Sequence, residues 1–371
     1  MTDYAMAQTE SSEKAQNIWA DEFRRAVGSH RHYLALCLLC VVTIWPFLAI
    51  ATPGGAALMA RNALTFLITV TAPFVFVLIL WTAICAIQAG RAHPRETVRR
   101  VLAGKYFQPE RAAALLTVLL PLAFVLAGFT ATKVYVGHLR PFDLDQPIID
   151  WTRSLTGGEL PWQYLMGWFG HPWTIKALDG VYYFWFPLLA ATFILQLLSL
   201  HRPHLRLQFI TTLAMNWGLL GTFGALALSS AGPAFLPELW GTPTPFDGLL
   251  QHLHAINGPD HSLMALSVQN GLWSIFSLNG HIAGAGISAM PSIHVAMATT
   301  LALLGWRLGR IWGIAYTLFA LAIFIGSIML AFHYALDGVA GALAAILIWS
   351  VAGWMIDRAH PRALEPLPNN P

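Results

Sequence analysis

The chain has 371 residues, of which 56% are hydrophobic and 11% charged, with a formal net charge of +3 and a mean hydropathy of +0.58. Soluble domains carry about 25% charged residues, so a chain this poor in charge cannot clothe a water-facing surface. The small net charge also leaves no electrostatic footprint for nucleic acid, and the composition is that of a polytopic membrane protein.

Residues 1–32 are mostly polar and are read as a cytosolic N-terminal arm, with no secretory signal expected ahead of the first apolar run. A bilayer core of about 30 Å needs roughly 20 apolar residues per helix. Stretches near 33–52, 65–87, 113–132, 180–200, 209–231, 288–306, 311–332 and 337–356 meet that requirement. The expected fold is an all-α membrane bundle of about eight transmembrane helices. Cys37, Cys40 and Cys85 lie inside apolar segments at no metal or redox spacing and read as small hydrophobes, without disulfides.

Basic residues orient the spans, because Lys and Arg gather in cytoplasmic loops. With the N-terminus inside, 16 of the 21 Lys and Arg fall on the inner side, and only Arg61, Lys133, Arg140, Arg153 and Lys176 fall outside. An even number of spans then places both termini in the cytoplasm of a plasma (inner) membrane. The two long outer segments, 133–179 and 232–287, exceed the usual length of a structureless loop. The first is expected to be interfacial structure rather than another span. The second, with Trp, Phe and Leu among its prolines, is expected to be a folded cap.

Three polar clusters fall at the same outer edge. KVYVGHLRP supplies Lys133 and Arg140, SAMPSIH supplies Ser288, Ser292 and His294, and AFHYALDG supplies His333 and Asp337. Ionisable groups at membrane depth mark functional sites. His333 and Asp337 are four apart and share a helix face. A carboxylate on one imidazole nitrogen selects the tautomer and leaves the other nitrogen free as a nucleophile. His294 is expected in the first turns of the sixth span, with Pro291 at a favoured first-turn position, where helix-start amides suit an anion. Lys133 and Arg140 add positive charge and, through the guanidinium, a bidentate grip on phosphate. Together these form a phosphoryl-transfer site in which one histidine attacks phosphorus and His294 serves as acid and base. No metal or other cofactor is required.

Each cluster also has a plainer explanation. The His333–Asp337 pair could be a satisfied interfacial hydrogen bond, His294 a structural histidine, and Lys133 and Arg140 snorkelling anchors. His252, His254, His261 and His281 lie in the second long loop, but no cysteine or well-spaced carboxylate completes a metal site there. The coincidence of all three clusters on one side favours a joint function.

At these residues the chain resembles the type 2 phosphatidic acid phosphatase (PAP2) superfamily, whose motifs are KxxxxxxRP, PSGH and SRxxxxxHxxxD. Here they stand as KVYVGHLRP (Lys133 to Pro141), PSIH (Pro291 to His294) and HYALD (His333 to Asp337). Ile293 replaces the glycine of the second motif, and Ser327 occupies the place of the third-motif arginine. The resemblance implies His333 as nucleophile, Asp337 as its orienting partner and His294 as acid/base. It also implies a phosphate pocket built with Lys133, Arg140 and Ser292, acting on a membrane lipid with water, a lipid or an alcohol as acceptor. AMPSIHVAMA, HYALDGVAG and LDGVYYFWFPLLAATF are similar to the inositol-phosphorylceramide synthase branch and its bacterial relatives, which implies headgroup transfer. The expected division is an arm at 1–32, N-terminal helices at 33–132, a catalytic membrane domain at 133–356 and a cytosolic tail at 357–371. A non-enzymatic lipid carrier or scaffold that kept the fold is the alternative from another class.

Overall fold

The computed structural model describes residues 17–52, 54–68, 109–199, 202–241, 243–259, 262–278, 280, 282 and 285–359. These residues form helices joined by turns and extended links, with no strand among them. In chain order they are α1 (17–29), α2 (Arg31–Ala51), α3 (Gly55–Ile68), α4 (Pro109–Leu139), α5 (Asp145–Thr156), α6 (Pro161–Phe169), α7 (Pro172–Leu198) and α8 (Pro203–Met215). The rest are α9 (Leu236–Trp240), α10 (Asp247–Asn257), α11 (Met264–Ser277), α12 (Ile293–Leu308), α13 (Arg310–Met329) and α14 (Ala335–Ala359).

Six of these segments are long and apolar enough to cross a membrane: α2, α4, α7, α8 with its continuation to Ala227, α13 and α14. The expected span 65–87 falls outside the described residues beyond Ile68. The expected span 288–306 is instead the 16-residue α12. At 1.5 Å per residue α12 is about 24 Å long, shorter than a hydrocarbon core of about 30 Å. The helix starts five residues later than the apolar stretch that announces it. The reason lies just ahead of it. Ser292 is the N-cap, its hydroxyl accepting from the Val295 amide at 3.4 Å. Pro291 thus stands before the cap and not in the first turn. Residues 287–291 form a non-helical link that bends at Met290 and Pro291, with the Ala289 amide donating to the Ser230 carbonyl at 2.9 Å and the Met290 amide to Ser230 Oγ at 3.0 Å.

The fifth span also ends differently from its apolar run. After Met215 the helix widens into a π-helical stretch, Asn216–Gly224, before a last turn at Ala225–Ala227. Gly218 and Gly221 face Cys40 and Phe129 so closely that a Cβ would collide with either side chain. The missing side chains let α2 and α4 approach. π-Helical insertions of this kind concentrate at functional sites.

Large apolar side chains such as Leu39, Val42, Leu116, Leu195, Ile311, Leu318 and Leu347 are exposed around the bundle. In water that ring would be an aggregation patch; in a bilayer it is the lipid-facing surface. Inside, Leu122, Phe209, Leu213, Met297, Leu301 and Met329 are fully buried.

The described residues of both long segments are folded. Segment 133–179 holds the end of α4 together with α5 and α6, with exposed Trp151, Trp168 and Trp173 suited to an interfacial belt. Segment 232–287 makes a cap of short helices. His252 ties the cap to the first segment through Nε2 and the Gly170 carbonyl at 2.6 Å. Asp179 ties it to α7, its two carboxylate oxygens accepting from the Met264 and Ala265 amides at 2.8 and 2.9 Å.

Candidate active site

Under the cap a cavity of about 290 Å³ is lined by Lys133 from α4, Tyr182 and Phe186 from α7, Ser288, His294 from α12 and His333 from the α13–α14 turn. The two imidazoles face each other with ring centroids 6.1 Å apart. Reacting atoms in a near-attack geometry stand about 3–3.5 Å apart, so one phosphoryl group between the rings could reach both.

His333 lies on a tight reversal. Its amide and that of Phe332 both donate to the Ser327 carbonyl at 3.0 Å, and Ala331 adopts a left-handed conformation with φ of 59°. Several groups brace this turn. Gln269 Nε2 donates to the Leu330 carbonyl at 2.8 Å, the Ala234 amide donates to the Ala331 carbonyl at 3.0 Å, and Tyr334 Oη donates to Asp145 Oδ1 at 2.7 Å. A non-glycine residue in the left-handed region persists only when its surroundings over-determine it.

Asp337 is completely buried in the first turn of α14. Its Oδ2 accepts from the Tyr334 amide at 2.9 Å and stands 3.5 Å from His333 Nδ1. At that separation the imidazole and carboxylate are in contact without a formed hydrogen bond, since Nδ1 and Oδ1 are both buried without a bonded partner. The shielded Nδ1 faces the carboxylate. Nε2 is then the nitrogen left for the cavity.

His294 sits in an aromatic box. Tyr182 stacks on it at 4.8 Å between centroids, Trp185 lies at 4.7 Å and Phe186 stands edge-on at 6.0 Å. Trp185 Nε1 also donates to the His294 carbonyl at 3.1 Å. The spacing of Tyr182, Trp185 and Phe186 puts them on one face of α7. That aromatic face, in VYYFWFP, is the signal in the sequence for the box, which reading the clusters alone passed over.

Of the six residues expected at the site, Lys133, His294 and His333 line the cavity and Asp337 backs His333. Lys133 makes no ion pair among the described residues. Arg140 and Ser292 do not line the cavity. Arg140 Nη1 donates to the carbonyls of Leu226 and Ala227 at 3.2 and 2.5 Å, and Nη2 pairs with Asp143 at 3.3 Å. The guanidinium thus occupies a helix C-terminus, a favourable place for a cation. Ser292 is fully buried and spends its hydroxyl on the cap of α12. Ser327, where the third motif would hold arginine, is fully buried with its hydroxyl on the Phe324 carbonyl at 2.7 Å.

Asp145, missed in the clusters, proves to be a central strut. Fully buried, it accepts from the Ala231 amide (2.9 Å), the Gly232 amide (3.0 Å) and Tyr334 Oη. It therefore joins α5, the link after α8 and the turn that carries His333. Burial raises its pKa above the ordinary 3.8, against the lowering effect of those three donors. The acidic residue opening the helical run DQPIIDW was the available signal. Among the loop histidines, His254 lines a separate cleft under α9 and α11, while His261 and His281 lie outside the described residues.

A family model described as the PAP2 superfamily matches residues 147–351. No curated protein and no solved structure matches the chain. The matched segment holds His294, His333, Asp337 and the aromatic face of α7, and leaves out Lys133, Arg140 and Asp145.

Proposed function

Because the chain belongs to the PAP2 superfamily, with its phosphatase-like chemistry on lipids, we propose that it is an integral-membrane lipid phosphatase or phospho-headgroup transferase working through a phosphohistidine. The observation that carries this reading is the pair of imidazoles facing across 6.1 Å, with Asp337 behind one and Lys133 lining the same cavity.

In this reading His333 Nε2 attacks phosphorus, and the P–O bond to the leaving group breaks. The Asp337 carboxylate, 3.5 Å from Nδ1, draws up to its proton as positive charge develops on the imidazole and stabilises that charge. His294 donates a proton to the leaving oxygen, then takes one from water or an alcohol that attacks the phosphohistidine in the second half-reaction. Lys133 neutralises the phosphoryl oxygens, and the aromatic box holds His294 at its angle while excluding water. The likeness to inositol-phosphorylceramide synthases favours an alcohol-bearing lipid as acceptor. The basic-residue pattern supports a plasma-membrane orientation with both termini cytoplasmic and the site outside.

The test follows a phospholipid labelled in its phosphate, with membranes carrying wild type or His333→Ala, in EDTA, with ceramide and diacylglycerol present. Release of free phosphate by wild type alone means a phosphatase, and transfer of label onto the acceptor means a transferase. Equal results from the two proteins across a broad lipid panel would overturn the enzyme reading in favour of a lipid carrier.

A further inference from the structure

A second cavity, of about 450 Å³, adjoins the first, and Phe129, Lys133, Phe186, Ile293 and His294 line both. From Lys133 it follows α4 through Phe129 and Leu126 to Leu122, and α7 from Trp185 to Phe193. The eleven steps along α4 from Lys133 to Leu122 cover about 16 Å at 1.5 Å per residue, roughly half of a 30 Å hydrocarbon core. The chamber thus leads from the level of the imidazoles to about the depth of one leaflet. Its wall is apolar apart from a few groups.

One of those groups is Asn62 of α3, which lines the chamber and is 5% exposed. Its amide nitrogen donates to Thr130 Oγ1 at 2.9 Å, and the Thr130 hydroxyl spends its proton on the Leu126 carbonyl at 2.9 Å. That chain of donors assigns the nitrogen to the threonine side. Asn62 Oδ1 remains buried with no partner among the described residues. A buried acceptor without a donor calls for a missing partner. Thr130, to which Asn62 is bonded, lies three residues before Lys133 on α4, one helical turn away.

We propose that this chamber holds the apolar chain of a lipid phosphate whose phosphate lies between His294 and His333, and that Asn62 accepts a hydrogen bond from a hydroxyl or amide N–H close to its headgroup. The proposal rests on the phosphoryl-transfer reading of the first cavity and adds the class of lipid. Asn62, Phe66 and the lining residues of α4 all precede the family-matched segment. In this proposal the α3 and α4 side of the wall selects the lipid, and α7 closes the other side.

The test is binding, so it does not depend on turnover. The full-length protein in nanodiscs is exposed to hexadecylphosphonate carrying a mid-chain diazirine, to its 2-hydroxy analogue, and to a diazirine-bearing hexadecane without phosphonate. Cross-linked residues are mapped by mass spectrometry. Labelling of 62–66 and 122–130 by the phosphonates, competed by unlabelled phosphonate, is expected. Tighter binding of the hydroxy analogue by about fivefold or more, lost in Asn62→Leu, is expected as well. Equal labelling by the hexadecane probe would make the chamber a niche for bulk lipid and overturn the proposal. Labelling elsewhere would overturn it too, and an unchanged hydroxyl preference in Asn62→Leu would remove Asn62 as the acceptor. A protein that binds the phosphonate in the chamber but turns over no lipid would sink the catalytic reading and leave the chamber standing.

Discussion

The Ser292 amide donates to the main-chain carbonyl of Asp337 at 3.0 Å, joining the N-cap of α12 to the first turn of α14. Two residues after the one lies His294, and four before the other lies His333. This main-chain contact ties together the two segments that carry the imidazoles. Gly341, a turn further along α14, packs on the same spot, where a Cβ would collide with the Ser292 carbonyl.

Gly341→Ala is expected to push α14 away from the Ser292 turn. Overpacking of this kind costs about 1–3 kcal/mol, and a displacement of about 1 Å at a reacting pair can cost 10²-fold in rate. Thermal stability and turnover should both fall although every proposed catalytic side chain is intact. A variant with wild-type turnover would show that this contact does not set the imidazole spacing.

His294→Ala tests the acid/base role through the leaving group. General acid catalysis contributes about 10²–10⁴-fold, and its loss should be felt with a lipid alkoxide that needs a proton to depart. p-Nitrophenolate leaves without one, so the first half-reaction on p-nitrophenyl phosphate should lose far less, with phosphohistidine accumulating as the second step slows. The burst of p-nitrophenol in a stopped-flow trace reads this directly. Equal losses on both substrates would assign His294 to positioning alone.

Lys133 and Arg140 entered as equals and should separate on mutation. Lys133→Met removes the cation from the cavity, and a single missing donor at a developing oxyanion costs about 10²–10³ in kcat. Arg140→Gln loosens the capped end of the last turn before Leu228 but removes nothing from the cavity. Its turnover is expected within about tenfold of wild type, with the larger effect on thermal stability. Steady-state kinetics on one lipid phosphate, with both variants side by side, decides between this and a shared phosphate grip.

Asp145→Asn keeps the shape of the strut and breaks its pattern of acceptors. If the amide oxygen keeps the Gly232 amide and Tyr334 Oη, the new NH2 group is turned against the Ala231 amide, donor against donor. A buried donor left without a partner costs about 1–3 kcal/mol. The pH dependence gives a second readout. Burial raises the Asp145 pKa in the folded state, so there the carboxyl holds its proton more tightly than in the unfolded chain. Its contribution to stability is then fully present below the unfolded value of about 3.8 and is lost as pH rises through the folded pKa. The wild-type Tm should fall across that acid-side window more steeply than that of Asp145→Asn. Parallel curves would contradict the direction of the shift.

Much of this architecture can be read from local pattern. Apolar runs of bilayer length mark six segments that recur as long helices, and the four-residue spacing of His333 and Asp337 puts them in contact because the turn and first coil of α14 are local. The long segments 133–179 and 232–287 announce folded structure by their aromatic content. Hydropathy sets the start of α12 a few residues early, because an apolar stretch says nothing about where a proline and a capping serine begin the helix.

The tertiary structure decided where each cluster lies. Lys133 and Arg140 are seven apart on α4 or just beyond it, yet the first lines the cavity and the second lies on the Leu226 and Ala227 carbonyls, because neighbours far along the chain claim the guanidinium. Ser292, a plausible phosphate ligand by motif, is consumed by its own helix. Asp145 becomes a strut only when α5, the link at Ala231 and Tyr334 converge on it. Helices and their ends follow from interactions a few residues apart, which a sequence displays. A cavity is made where several helices fail to meet, and which polar groups face it is settled by partners that the linear order keeps far apart.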